Sequence, residues 1–154
     1  MVDVETCLAC DLTAGRLPLP GGLIHETTRW RVEHCVGPLC VGTLLVKPKR
    51  HVTRVAKLTA EEANEQGPLL RLCAIVVDRL LEPEQIYVCL WSHTSGEPVH
   101  LHYVVQPISR RLMDDFGAYG PRLQAQQFTR AETPPGPEVV LFADKARRAF
   151  VDVR

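Results

Sequence analysis

The sequence predicts an α+β domain with a largely antiparallel sheet, and three observations carry that prediction. Apolar segments follow the order strand, strand, strand, helix, strand, strand along 154 residues. One long amphipathic stripe, at helical spacing, occupies the middle of the chain. The composition, 45% hydrophobic and 23% charged, suits one folded domain with a complete core.

Residues 23–27 and 30–36 read as short strands, the second alternating cleanly, with a turn at Gly37-Pro38. A third strand is expected over 41–46, stopped by Lys47-Pro48-Lys49. The long helix begins near Thr59, where Thr59-Ala60-Glu61-Glu62 has capping-box spacing. Leu69, Leu72, Cys73, Val76, Val77 and Leu80 form its apolar stripe. Gly67-Pro68 is expected to kink it or shift its start, and Pro83 to end it. Residues 86–91 read as a buried strand, 92–98 as a polar loop and 99–107 as the last strand of the sheet. Beyond Pro107 a short helix and turn are expected over 113–121, a break at 133–137, and a terminal amphipathic helix over 138–151.

The charges balance, Lys+Arg 18 against Asp+Glu 18, which argues against a nucleic-acid polymer or membrane surface as partner. No stretch approaches the roughly 18 consecutive apolar residues of a membrane span. The acidic start, residues 1–6, lacks the pattern of a secretory signal, so the expected location is cytoplasmic. Cysteines there stay reduced, and Cys35, Cys40, Cys73 and Cys89 read as small buried hydrophobes.

Two features carry chemistry. On a strand, His100 and His102 project to one face. Two adjacent imidazoles can ligate a metal, attack phosphorus or shuttle a proton, or they can be hydrogen-bonded core residues. Cys7-Leu8-Ala9-Cys10 is half of a zinc site, a redox couple, or a pair of plain thiols, and zinc is favoured because no strand precedes it. The remaining ligands are to be found among His25, His34, His51, His93, His100 and His102, and spacing alone does not choose between them.

Three pieces in order, residues 7–15, residues 42–51 (Gly-Thr-Leu-Leu-Val-Lys-Pro-Lys-Arg-His) and His100-Leu101-His102-Tyr103, resemble the histidine-triad (HIT) superfamily. The likeness is to its zinc-containing bacterial branch and covers most of residues 4–108. It implies a HIT-like sheet of about five strands with one long helix over 1–108. Residues 109–154 would be a C-terminal helical extension packed on the same domain. It implies zinc held by Cys7, Cys10, His51 and His100, a nucleophile at His102, and a homodimer formed through the long helix and an edge strand. The implied chemistry is a hydrolase or transferase acting on a phosphate ester, anhydride or phosphoramidate of a nucleotide, through a nucleotidyl-histidine.

The chain departs from the family pattern at several points. Val104 takes the third triad position, Ser95-Gly96-Glu97-Pro98-Val99 replaces the usual donors, and Gly42-Thr43 stands for the usual Gly-His. Thr43, Glu97 and His93 are therefore the expected substrate contacts, with His93 a replacement for the lost triad donor. Lys47, Lys49, Arg50 and Arg54 are candidates to steer an anion. The departures leave two alternatives: a repurposed zinc-dependent enzyme in the same pocket, or a non-catalytic binder of nucleotides or small ligands with structural zinc.

Overall fold

The computed structural model describes residues 7–153; the N-terminal reading of residues 1–6 and the end of the extension at Arg154 lie outside them. The fold is α+β, with a five-stranded antiparallel sheet in the order β1-β2-β3-β7-β4. The strands are β1 (Leu23–Glu26), β2 (Trp30–His34), β3 (Leu44–Pro48), β4 (Gln85–Cys89) and β7 (Tyr103–Ile108). A short hairpin, β5 (His93–Thr94) and β6 (Glu97–Pro98), stands apart from the sheet. The helices are α1 (Leu8–Thr13), α2 (Ala60–Leu81), α3 (Arg110–Phe116), α4 (Gly120–Arg130) and α5 (Gly136–Asp152).

Pleat alternation sorts the sheet into two faces. Trp30, Val32, Leu44, Val46 and Val105 turn toward α2 and α5, and pack with Leu69, Cys73, Val76, Phe142, Ala146 and Phe150. The Trp30 indole is fully buried and donates to the Glu62 carbonyl at the start of α2. α5 is seated by a close approach: a side chain at Gly21 (φ +79°) would meet the Ala143 Cβ at 2.6 Å. Arg147 then donates to the Gly21 and Leu23 carbonyls.

The opposite face carries the site. Glu33, Lys47, Val104, Gln106 and Ile108 belong to it, covered in part by α3 and α4 through Ile108, Leu123, Tyr87 and Phe116. Lys47 is fully buried here, donating to Glu33 at 2.6 Å and to the Ala9 carbonyl of α1 at 2.9 Å. Removing one member of such a pair strands the other charge in the interior. Lys47→Met is expected to lower stability by roughly 3–5 kcal/mol. The double variant Lys47→Met/Glu33→Leu should recover much of that loss in urea unfolding; equal losses in both would refute this account.

Several expectations are corrected. β3 starts at Leu44 rather than 41 and runs through Lys47 and Pro48, because a terminal proline loses only one ladder donor. α2 shows no break at Gly67-Pro68, and its capping box at Thr59 and Glu62 forms as predicted. The segment over 86–91 is not a buried strand: β4 is the sheet edge, Val88 is 46% exposed, and Trp91 is 55% exposed. The loop over 92–98 is a hairpin whose turn residues, Ser95 and Gly96, both have positive φ, the conformation that closes a two-residue hairpin. Cys73 is buried, but Cys35, Cys40 and Cys89 are only half-buried, and all six cysteines are free. The terminal helix is longer than 138–151, and α1 and α4 were not foreseen.

Candidate metal centre and nucleophile site

β7 begins only at Tyr103, so His100-Leu101-His102 is not the strand the sequence predicts. Its polar groups go elsewhere. The Leu101 N–H donates to the Val52 carbonyl at 2.7 Å, the His102 N–H donates to Ser92 Oγ at 3.1 Å, and the rings of both histidines bond to carbonyls. These contacts stitch the segment to β3 and the chain leaving it through Pro48 and Val52, and to the chain beyond β4 through Ser92.

That stitching assembles the four predicted ligands. Cys7 and Cys10 lie at the start of α1, which Lys47 ties to the sheet through Ala9. His51 follows β3 and is steadied by its neighbour Arg50, whose guanidinium donates to both Glu62 carboxylate oxygens. His100 sits across from it, ring centroids 5.1 Å apart. The ligand atoms of Cys7, Cys10, His51 and His100 all lie within 4.8 Å of one another. Cys10 Sγ is 3.4 Å from His51 Nδ1 and 3.5 Å from His100 Nδ1, and Cys7 Sγ is 3.8 Å from the latter.

These separations fit zinc. Zinc–sulfur and zinc–nitrogen bonds in a tetrahedron place their ligands roughly 3.5–3.8 Å apart. Pro48 completes the case for His100: a carbonyl only accepts, so the 2.9 Å contact puts the proton on Nε2 and leaves Nδ1 bare toward the thiols. Burial, above all, lowers the His100 pKa to about 4, so the ring is neutral as a ligand must be. Burial and the neighbouring Cys7 push the Cys10 thiol up to about 11, so without a cation it stays protonated.

His102 is set by the same logic. Its Nδ1 lies 2.9 Å from the His100 carbonyl, which fixes the proton there and leaves Nε2 with a free lone pair. Burial, first, depresses its pKa, so the neutral and nucleophilic form prevails. Ser92, which the sequence reading left in a loop, clamps the residue from both sides: its hydroxyl accepts from the His102 N–H and lies 3.4 Å from the His102 carbonyl. The only sequence signal for it was a hydroxyl just before the hairpin. Ser92→Ala is expected to lower kcat roughly tenfold with little change in KM, since positioning is lost and binding is not. Ser92→Thr should restore much of it. A KM effect alone would refute the role.

The expected substrate contacts fare differently. Thr43 is fully buried and donates its hydroxyl to the Cys40 carbonyl at 2.7 Å, which leaves it nothing for a substrate. His93 and Glu97 are exposed on the hairpin. Glu97 and Pro98 form one wall of a cavity of about 480 Å³, with Thr53, Arg54 and Lys57 on the other. Val104 is 5% exposed and offers no hydrogen-bond donor. Of the basic residues, Lys47 is buried and Arg50 is bound to Glu62; Arg54 alone of the four lines this cavity.

No family model matches the chain, and no curated protein matches it. Solved structures do. A Hit-like protein involved in cell-cycle regulation from Bartonella henselae aligns over 97% of this chain and 99% of its own, with TM-score 0.71 and 17% identity. A hypothetical histidine triad nucleotide-binding protein from Sulfolobus tokodaii aligns over 96% and 93%, with TM-score 0.72 and 16% identity. A zinc-bound histidine triad family protein from Mycobacterium smegmatis aligns over 98% and 97%, with TM-score 0.69 and 16% identity. The fold is therefore that of histidine-triad proteins.

Proposed function

We propose that this protein is a histidine-triad enzyme of the zinc-containing kind, transferring or hydrolysing a nucleotidyl group. The observation that carries the reading is the bare Nε2 of a neutral, clamped His102 beside a Cys2His2 cluster. In the first step His102 Nε2 attacks the α-phosphorus. The new N–P bond forms as the bond to the leaving group breaks, and the leaving group departs with the bonding pair and takes up a proton. In the second step water or another acceptor attacks the same phosphorus: the O–P bond forms as the N–P bond breaks, the pair returns to Nε2, and the acceptor's proton is released to solvent. Zinc, bound by Cys7, Cys10, His51 and His100, would serve as a structural cross-link that orients the His100–His102 segment.

The substrate class is a nucleotide phosphate ester, anhydride or phosphoramidate, which accords with the nucleotide-binding description of the Sulfolobus neighbour. Arg54 and Lys57 would steer its phosphates, and His93, exposed on the hairpin opposite Pro98, would be the replacement donor. The test is ammonia release from adenosine 5′-phosphoramidate by the zinc-loaded protein. Absence of turnover would sink the enzymatic reading. Val104 favours the second reading, a nucleotide binder with structural zinc, because the third triad donor is missing.

The cytoplasm is the proposed location, and no helix among the described residues is long and apolar enough to cross a membrane. Residues 109–154 are proposed to belong to the same domain as 1–108, since Phe142, Ala146 and Phe150 lie in its core. A homodimer is proposed through the β4 edge, where Val88 and, at the end of α2, Leu81 are exposed.

A further inference from the structure

The strand register places a row of residues across the site face: Glu33 pairs with Leu45, Leu45 with Val104, and Val104 with Cys89. The ladder pairing ends at Tyr103 and Cys89, and the same alternation carried two residues beyond that row would bring Lys47, His102 and Trp91 abreast. The Ser92 hydroxyl at the His102 backbone shows that the chain beyond β4 still runs abreast of it.

The two neighbours differ sharply. Lys47 is fully buried and tied to Glu33 and Ala9, so nothing can lie against His102 from that side. Trp91 is 55% exposed. Its indole N–H donates to Gln124 Oε1 of α4 at 3.2 Å; Gln124 donates to Gln106 of β7 at 3.0 Å, and Gln106 to Gln127 at 2.7 Å. All three glutamines are at most 5% exposed. The one polar atom of the indole is thus satisfied inward, by a chain of amides rooted in the sheet. What is left outward is a flat apolar ring on the residue next to Ser92, whose hydroxyl holds the His102 backbone.

We infer that Trp91 is the ring-binding platform of this site, stacking the heteroaromatic base of a nucleotide whose phosphate lies at His102. The inference rests on the proposed function and deepens it by naming what recognises the base. A held indole suits this task because every base has a π face, and stacking needs no hydrogen-bond match. It also gives α4 a role: Gln124 fixes the platform.

The experiment compares AMP with ribose 5-phosphate, which keeps the sugar phosphate and lacks the base. Trp30 is fully buried, so quenchable emission belongs to Trp91. AMP should quench it and ribose 5-phosphate should not. By calorimetry, Trp91→Leu should weaken AMP roughly tenfold, within the range measured for base stacking, and leave ribose 5-phosphate unchanged. Trp91→Phe should keep most of the affinity. Equal losses for both ligands, an unchanged AMP affinity, or no AMP binding by the wild-type protein would overturn the inference. So would a Trp91 emission shielded from acrylamide in the free protein, since a second copy would then cover the ring. AMP binding through Trp91 without phosphoramidate turnover would instead uphold the platform and remove the enzymatic reading.

Discussion

His102→Ala is expected to reduce turnover of adenosine 5′-phosphoramidate by three orders of magnitude or more, on the order of what loss of a covalent nucleophile costs elsewhere. The size follows from the geometry. Three interactions hold this residue: Ser92 Oγ at its N–H and at its carbonyl, and the His100 carbonyl at Nδ1. They do nothing for a ligand directly; they aim Nε2. The His102 side chain is only partly buried and bonds only to the adjacent backbone, so its removal should leave the melting temperature within a few degrees. AMP binding should persist in the variant. A fall in activity with no fall in stability or binding would assign His102 to the chemical step. Retained activity would place the nucleophile elsewhere and refute the mechanism.

Chelation of zinc is expected to give the second large effect. Cys7 and Cys10 belong to α1, whereas His51 and His100 belong to segments that leave β3 and approach β7. Without the cation, α1 is joined to the sheet chiefly through Lys47 at the Ala9 carbonyl. Structural zinc contributes on the order of 10–16 kcal/mol where it supports a whole small domain. Here the main core is independent of it, so a loss of about 3–5 kcal/mol is expected, or roughly 10–15 °C in Tm for a chain of this size. The effect should be easier to produce at lower pH. The Cys10 thiol, raised to about 11 when metal-free, must lose its proton to bind, so protons compete with the cation. Excess zinc should restore the melt. An unchanged melting temperature after complete chelation would remove the cross-link.

Much of the architecture was legible because it depends on periodicity. The alternation of β2, the capping box at Thr59 and the stripe through Leu69, Cys73, Val76 and Val77 each report a local preference that the core then rewards. The quartet Cys7, Cys10, His51 and His100 was legible through its motifs and family resemblance, though spacing alone left six histidines in contention. What failed did so for identifiable reasons. α1 has six residues and no side-chain cap, so nothing local announces it. α4 buries Gln124 and Gln127, polar residues that give no apolar stripe to read and are satisfied only by Gln106 opposite them. Thr43 aligned with a substrate-binding position, yet its hydroxyl is committed to Cys40.

The sequence by itself determined the fold class and the long helix, and it singled out Cys7, Cys10, His51, His100 and His102 as candidates, since residue type and period are local properties. Only the tertiary structure decided which nitrogen of His100 and of His102 is bare, because that depends on the carbonyls of Pro48 and His100. It also decided that Lys47 is buried against Glu33 while Trp91, its indole N–H bound inward to Gln124, keeps an exposed face. Burial and hydrogen-bond partners are set by segments far apart in the chain, and no reading along one segment contains them.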